Sequence, residues 1–542
     1  MAILREFAED DPSLKEHIQS TTARYKYTSP DVQNELLIIC AKQISDKIVE
    51  DCNEAGFFSV LGDECTDKST KEQMSICLRF IDPGTKDVRE DFLCFVEPEN
   101  TKGETIARCL LGTLEKEGVV IDRMRGQGYD GAANMSGKFR RVQAIVRERV
   151  STATYVHCKA HQLNLALIHS SKEPCVRNMM GIVQDIAFAF DYSAKRLNAF
   201  ATELSNCDEN VKEAMEKRSK LTTLCETRWS ARADSLFTFK SAFPVVVQAL
   251  EYLRDNRDEK AGAYLAAILK FEFLIALVVA EHILSVTVAL SNFLQSKSCD
   301  LIEAVGESKV VVQSLRDERN DPAVWDALYG KAVEIAADFE LNPCTPRRAG
   351  RQMHRANHPV QDPQEYWKVS LYYIFLDHLV QELESRLIQS EDRFLAEYLV
   401  PVKLQGLTPD NIEKIYNAYN DDIGTLEQLQ EEISRWKTRW SMTMLDTKPK
   451  TLHETLVTTN KNLYPNISTI ISVLLTMPAS TATAERSFSA MNRIKTYLRS
   501  TMGTDRLSAL ATLHIYRDVE IDRQNVITKF ASVKGRKLNF LL

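Results

Sequence analysis

Residues 57–98 read FFSVLGDECTDKSTKEQMSICLRFIDPGTKDVREDFLCFVEP, and this stretch decides the fold class of the chain. It contains three short runs rich in Phe, Val, Ile and Cys, at 57–63, 73–82 and 88–98. Asp-Pro-Gly-Thr (82–85) separates the second run from the third and is typical of a turn. The stretch therefore predicts three antiparallel strands that follow one another along the chain.

The sequence that follows alternates between helix and strand patterns. A helix is predicted over 103–118, a fourth strand within 119–131, a second helix over about 134–150 and a fifth strand at 154–158. A long helix then starts at Ala160. Strands that alternate with helices in this order predict an α/β fold.

Helical patterns dominate the rest of the chain, and four parts are expected. Residues 1–55 form a helical lead-in, and 56–245 form the first part of an α/β core. Residues 246–445 are almost purely helical in pattern and are interrupted by a Pro-, Arg- and His-rich linker. Residues 446–530 form a helical C-terminal region.

The composition is that of a globular protein, with 44% hydrophobic and 26% charged residues among 542. This excludes a disordered or collagen-like chain. Because 68 basic residues face 75 acidic ones, the net charge is −7, and any contact with DNA must come from local basic patches. One such patch comprises Arg123, Arg125, Lys138, Arg140, Arg141, Arg147 and Arg149, and another comprises Arg347, Arg348, Arg351, His354 and Arg355. A charge run of this kind is more often only a solvated face.

Two further patterns bear on the cellular compartment. The twelve cysteines have no paired spacing and the N-terminus carries charge early, which predicts reduced thiols in an intracellular protein. The most apolar segment, 273–294, is interrupted by Glu281 and His282. A membrane span needs about 20 nearly uninterrupted apolar residues, so this segment is expected to be a buried helix.

Three acidic residues stand out by their positions. Asp63 is expected to end the first strand, Asp130 to end the fourth, and Glu485 to lie early on a helix. Carboxylates at strand ends lie at the edge of a sheet, where oxygen ligands can hold two divalent cations for phosphoryl transfer. Taken singly, a strand-end Asp is more often a turn or capping residue, and a helical Glu is more often only a surface residue.

Two other pairs of residues have chemical meaning. Cys158 and His161 have the C-x-x-H spacing of two zinc ligands, but no second pair follows, so a buried strand-to-helix junction is the competing interpretation. Arg228 precedes Trp229, and an Arg beside an aromatic ring can hold phosphate and stack on an extruded base. A single Trp is most often a core residue.

At the level of whole motifs, the chain resembles the transposases of the hAT superfamily. The resemblance is to the branch shared with the zinc-finger MYM-type and THAP-domain repressor-like proteins, and it runs from about residue 5 to 530. The strings that carry it are KYTSPDVQNEL (26–36), FFSVLGDECTDKSTKEQMSICLRFID (57–82), GQGYDGAANMSGK (126–138), YVHCKAHQLNLAL (155–167), ETRWSARADSL (226–236), HRANHPVQDPQEYWKVSLYYIFLDHL (354–379) and MPASTATAERSFSAMNRIKTYLRSTMGTDRLSAL (477–510).

The resemblance implies an RNase H-like catalytic core whose first part is 56–245, a large all-α insertion at 246–445, and a segment at 446–530 that completes the core and forms a helical dimerisation region. It implies that Asp63, Asp130 and Glu485 are catalytic and bind Mg²⁺ or Mn²⁺. It further implies that Cys158 and His161 form a structural motif, and that the DNA-binding residues are Arg228 and Trp229.

The implied function is two-metal cleavage and transfer of DNA strands in the nucleus, by a homodimer or higher oligomer with no membrane contact. The alternative is a domesticated, non-cleaving, dimeric DNA- or chromatin-associated regulatory protein, and an inert transposon relic is a third possibility. Family members usually carry a zinc finger before the core, and none occurs in this sequence. This leaves open a truncated gene model or a protein that has lost sequence-specific DNA binding.

Overall fold

The structure is a computed structural model that describes residues 8–20, 27–137, 140–215, 218–224, 229–346, 362–388 and 391–532. The chain forms two compact units. Unit 1 combines the described residues of 1–158 and 391–542, and unit 2 comprises those of 159–390.

Unit 1 contains a five-stranded mixed sheet, and the five predicted strands are confirmed. The strands are β1 (Phe58–Thr66), β2 (Glu72–Ile81), β3 (Val88–Val96), β4 (Met124–Tyr129) and β5 (Thr154–His157). Their order in the sheet is β3-β2-β1-β4-β5. β1, β2 and β3 pair antiparallel, whereas β4 runs parallel to both β1 and β5. Together with the helices, this sheet makes the chain a mixed α/β protein.

Helices account for most of the remaining regular structure in the described residues. In chain order, the α-helices are α1 (Pro12–Ser20), α2 (Pro30–Ala55), α3 (Gly103–Glu117), α4 (Ala133–Ser136), α5 (Val142–Arg149), α6 (Lys159–Ser170), α7 (Pro174–Asp191), α8 (Ala194–Asn206), α9 (Glu209–Ala214), α10 (Trp229–Ser241), α11 (Phe243–Asp255), α12 (Ala261–Ile268), α13 (Phe271–Leu294), α14 (Leu301–Asn320), α15 (Pro322–Ala337), α16 (Pro363–Trp367), α17 (Ile374–Leu387), α18 (Pro409–Tyr419), α19 (Leu426–Ser441), α20 (Leu452–Thr458), α21 (Pro465–Thr476), α22 (Ala482–Ile494), α23 (Thr504–Ile515) and α24 (Arg523–Ala531).

The sheet of unit 1 buries apolar side chains on both faces. On one face, Val60 and its neighbours pack against Ile48 of α2, Ile106 of α3 and Val146 of α5. On the other face, Leu61 and its neighbours pack against α22 and α23. Successive residues of β1 point to opposite faces, so the near-continuous apolar run at its start supplies both layers.

Unit 2 is helical in all its described regular elements. α13 is long and apolar enough to cross a membrane by length and composition, and 67% of its most apolar window is buried inside the protein. It packs against α10 and α15 within the unit. Burial on this scale is what the core helix of a helical bundle requires, since such a helix is apolar on nearly all sides.

The division of the chain differs from the boundaries expected for the insertion at 246–445. Unit 2 begins at Lys159 and ends at Ser390. Helices before residue 246 pack on α13 and α11, so they belong with the bundle. The segment after residue 390 packs on α21, which lies against the sheet of unit 1. These long-range contacts are invisible in a helical sequence pattern.

Candidate catalytic site at one edge of the sheet

Two of the three acidic residues lie at the same edge of the sheet. The parallel pairing of β1 with β4 ends at Leu61 and Gly128, and Asp63 and Asp130 each follow two residues later. Asp130 comes directly after β4, as expected. Asp63, expected to end β1, instead lies inside it, because antiparallel pairing with β2 continues to Thr66. Since the two strands run in the same direction, both Asp residues are found where the β1–β4 ladder ends.

The third acid, Glu485, is remote in sequence from the other two but lies on a helix that packs against β1. Glu485 lies in the first turn of α22. On either side of it, Ala484 and Phe488 belong to the cluster that packs on Leu61. Asp63 is two residues from Leu61 and therefore shares its face of the sheet. α22 accordingly covers the face of β1 to which Asp63 belongs.

The electrostatics of Asp63 reflect this convergence. Burial raises the pKa of the Asp63 carboxyl well above its usual range, and the nearby charges of Glu485 and Asp130 raise it further. One backbone hydrogen bond opposes the shift, from the Glu64 amide to Asp63 Oδ1 at 3.0 Å. The Asp130 Oδ1 atom accepts the Ala132 amide at 3.2 Å. A carboxyl whose pKa is raised by two other carboxylates belongs to a cluster of like charge.

A fourth carboxylate, Glu64, which the sequence reasoning missed, directly follows Asp63 and lies near Asp130. Burial raises the pKa of Glu64, a hydrogen bond from Asn134 Nδ2 to Glu64 Oε2 at 2.8 Å opposes this, and the charge of Asp130 adds to the rise. The only signal in the sequence was its position next to Asp63. Asn134 lies in the string that follows Asp130, so the hydrogen bond joins the two acidic motifs.

The donor atoms at this edge suit a hard divalent cation. Mg²⁺ and Mn²⁺ prefer carboxylate and carbonyl oxygens, and the acids supply carboxylate oxygens alone. Within the described part of the chain, however, no three His, Cys, Asp or Glu side chains are already arranged around one metal position. Like charges repel, so a cation would be needed to draw these oxygens into one coordination sphere.

Two glycines of the GQG string allow the segment before α22 to approach the sheet. A Cβ atom on Gly128 would lie 2.7 Å from Pro478 Cγ, and one on Gly126 would lie 3.3 Å from Pro478 Cδ. At position 128 only glycine leaves room for this close approach of Pro478. The sequence reasoning did not assign these glycines a role, because their partner Pro478 is remote in sequence.

Cys158 holds the same segment from the other side. Its sulfur is buried and accepts a hydrogen bond from the Thr481 amide at 3.4 Å, immediately before α22 begins. His161, the other residue of the C-x-x-H pair, is half-buried on α6 of unit 2. The structure therefore gives Cys158 a bracing contact at the start of the helix that carries Glu485.

Half of the expected DNA-contacting residues lie outside the described residues. Arg228 does so, as do Lys138 and the basic residues of 347–355. Trp229 begins α10, but the described part of the chain does not include its side chain. Arg125 is engaged, because its Nε donates to both oxygens of Asp422 at 2.8 and 2.9 Å. The exposed members of the first basic patch include Arg140, Arg141 and Arg147.

Comparison with known proteins identifies two regions of the chain. Residues 1–141 match the family described as "ZMYM1/FAM200, RNase-like domain". Residues 425–519 match the "hAT family C-terminal dimerisation region". This second region includes α19 to α23 and therefore the helix that carries Glu485.

Two curated relatives are similar over almost the whole chain. The human protein named "52 kDa repressor of the inhibitor of the protein kinase" is 25% identical over 545 residues, which cover 97% of this chain and 70% of the relative. The mouse protein of the same name is 24% identical over the same shares.

The dimerisation region supports self-association of the chain. The two matched regions lie in the same compact unit: the first includes β1 to β4 of the sheet, and the second includes α22 and α23, which pack on that sheet. The chain is therefore similar to the ZMYM1/FAM200 proteins over residues 1–141 and to hAT transposase-related proteins over residues 425–519.

Proposed function

We propose that unit 1 is an RNase H-like core of the DDE type that cleaves and transfers DNA strands. The observation that carries this proposal is that Asp63 and Asp130 both lie where the β1–β4 ladder ends, and that α22, which carries Glu485, packs on the face of β1 to which Asp63 belongs. The order of the strands, three antiparallel followed by two parallel, supports the RNase H-like assignment. The match of residues 425–519 to the hAT dimerisation region supports a transposase origin.

In this proposal each acid has a stated role. Asp63 and Asp130 bind Mg²⁺ or Mn²⁺ from the sheet, and Glu485 completes the ligand set from α22. Such ions, when bound, activate the attacking oxygen and stabilise the leaving oxygen of a phosphodiester. Asn134 orients Glu64 beside Asp130 through its hydrogen bond. Arg228 and Trp229 contact the DNA, a role supported by their residue types.

The test is nicking of supercoiled plasmid DNA by the purified chain with Mg²⁺ or Mn²⁺. Asp130→Asn removes one ligand charge and leaves the size of the side chain unchanged, so nicking is expected to fall at least about a hundredfold. The matched control is Asp122→Asn, because the Asp122 side chain is 77% exposed and lies just before β4. Equal nicking by the wild type and Asp130→Asn would overturn the proposal.

A second function is favoured by the name of the curated relatives, which describes them as repressors. In that case the chain would be a domesticated, non-cleaving regulatory protein that associates with DNA or chromatin as a dimer. DNA binding without any metal-dependent nicking, in the same assay, would favour this function.

Both functions place the chain in the nucleus and require it to associate with a second copy of itself. We therefore propose a nuclear homodimer or higher oligomer that forms through residues 425–519. Fluorescence microscopy of the tagged full chain tests the location. An exclusively cytoplasmic signal would contradict both functions.

A further inference from the structure

α22 is tied at its N-terminal end to a buried ion pair of the sheet. The Thr483 hydroxyl donates to one oxygen of Glu90, and the other oxygen of Glu90 pairs with Arg79 Nη1 at 2.6 Å. The Arg79 and Glu90 side chains are only 1% and 3% exposed. Arg79 Nε also donates to the carbonyl of Leu475, the penultimate residue of α21, at 3.1 Å. One ion pair thus holds the end of α21 and the start of α22.

A second buried ion pair holds the other end of the helix. Lys495 follows the last residue of α22, and its Nζ lies 2.6 Å from Asp67 Oδ2. The two side chains are 1% and 0% exposed. The backbone amide and hydroxyl of Ser69 both donate to Asp67 Oδ1, and Gln73 Nε2 donates to Oδ2. Asp67 is four residues after Asp63, so this pair links the acidic motif directly to the helix.

Buried ion pairs are a poor choice if stability alone is required. The cost of removing two charges from water often cancels their attraction, and well-packed apolar side chains would stabilise the protein as well. What an ion pair adds is direction, since its hydrogen bonds are made in one arrangement only. Phe488 and Met491 of α22 pack on the sheet through apolar contacts. Such contacts are non-directional, so they would allow α22 to shift along its axis. The two ion pairs would be broken by such a shift.

The magnitude of a slip shows why this matters for Glu485. Moving α22 by one turn along its axis would displace Glu485 by about 5.4 Å. Two metal ions in a phosphoryl-transfer site lie only about 3.5–4 Å apart. A slip of one turn would therefore take the carboxylate out of reach of an ion held by Asp63.

We propose that the Arg79–Glu90 and Asp67–Lys495 ion pairs are positioning elements that fix α22 on the sheet and so hold Glu485 beside Asp63. This inference rests on the proposed function for the part played by Glu485 in metal binding. The four charged residues act through Glu485 and do not touch the metal themselves.

The test breaks the C-terminal ion pair without leaving a lone buried charge. The variant is Asp67→Asn with Lys495→Met. The matched control is Arg125→Met with Asp422→Asn, which removes a partly buried ion pair at the start of β4, in the same unit. Hydrogen exchange of the amides of 482–495 is measured by mass spectrometry, and Mn²⁺ affinity is measured by calorimetry on the folded protein.

The expected result has two parts. Exchange over 482–495 rises at least about tenfold in the Asp67/Lys495 variant and stays near the wild-type rate in the control. Mn²⁺ affinity falls by about 10–100-fold, the usual effect of a residue that orients a ligand. Adding Glu485→Gln to the Asp67/Lys495 variant lowers the affinity less than about twofold further, because the ion pair acts through Glu485.

A milder variant covers the case in which the double substitution fails to fold. Thr483→Val keeps the side-chain shape and removes the hydrogen bond that the hydroxyl donates to Glu90, together with the one it accepts from Arg486 Nη2, so exchange is expected to rise in the first turn of α22. Wild-type exchange over 482–495 in both variants would overturn the inference. Faster exchange combined with Mn²⁺ binding that does not depend on Glu485 in the wild type would instead overturn the metal site of the proposed function.

Discussion

At the scale of single residues, Gly128 shows how a missing side chain shapes the site. Pro478 packs where the Cβ of any other residue would be, and this contact brings the segment before α22 onto β4. The glycine lies two residues before Asp130, so the approach of that segment and the position of the acid depend on the same strand.

Gly128→Ala is expected to destabilise the protein by about 1–3 kcal/mol, because the proline ring cannot rotate away from the added methyl group. Urea unfolding measures the change. Gly112→Ala is the control, since nothing lies within 4 Å of its added Cβ and it is inside α3. That substitution is expected to stabilise by about 0.5–1 kcal/mol through helix propensity. Equal effects at the two glycines would contradict the close approach of Pro478.

Asp67 makes the stability of unit 1 vary with pH in the acidic range. Burial alone would raise its pKa, but the hydrogen bonds from Lys495 and Ser69 outweigh it and lower the pKa to about 2. A pKa lowered by folding contributes stability that is present above the unfolded pKa of about 4 and is lost as the pH falls towards 2. The contribution at neutral pH is roughly 2 kcal/mol.

The variant Asp67→Asn cannot titrate at this position. It is expected to be less stable than the wild type at pH 7, where a lone Lys495 charge remains buried. The difference is expected to shrink as the pH is lowered from 4 to 2, because the wild type loses its own contribution there. Unfolding free energies across this pH range measure both chains, and a difference that does not change with pH would refute the assignment.

At the scale of elements, the position of α22 depends on what precedes it. The Cys158 sulfur accepts a hydrogen bond from the backbone amide of Thr481. Because Thr481 directly precedes α22, no earlier turn of that helix offers its amide a carbonyl partner. Cys158 thereby joins the end of β5 to the start of α22. This contact gives the C-x-x-H motif a structural part without a second pair of metal ligands.

Cys158→Ala removes the acceptor and is expected to cost about 1–3 kcal/mol, because it leaves a buried amide unsatisfied. Cys158→Ser keeps an acceptor at this position and is expected to cost less than the alanine variant. Thermal unfolding in the presence and absence of a chelator measures both. Chelator sensitivity in the wild type that is absent from both variants would show that Cys158 binds metal.

At the scale of the whole molecule, several apolar side chains of the dimerisation region are exposed. Met442, Met444 and Leu445 lie between α19 and α20, and their exposed fractions are 85%, 82% and 68%. They fall inside the region that matches the hAT dimerisation family. Side chains of this kind gain about 1.5–3 kcal/mol each when they are fully buried. A second copy of the chain is the occupant that this family region implies.

Replacing Met442, Met444 and Leu445 by Ser is expected to reduce the particle mass in light scattering towards the monomer value of 61.6 kDa. Deletion of 452–520 is a poorer test, since it would remove α22 and α23 from the sheet. Val310→Ser is the control, because Val310 is 60% exposed in unit 2 and outside the dimerisation region. An unchanged mass in the triple variant would mean that this loop is not the dimer contact.

The sequence by itself determined the five strands, the long helices and the place of Asp130 at the end of β4. These features are local: alternating or continuous apolar runs, turn residues and capping residues act over a few positions. The same patterns placed Asp63 near the sheet edge and missed only the extension of β1 to Thr66, which depends on pairing with β2.

Only the tertiary structure decided that Glu485 lies beside Asp63, and that unit 2 runs from 159 to 390. It also revealed Glu64, the GQG contact with Pro478 and the two buried ion pairs of α22. Each of these joins residues that are remote in sequence or depends on which helices share a core. Packing between distant segments depends on shape and charge in three dimensions, and no local period in a single sequence encodes it.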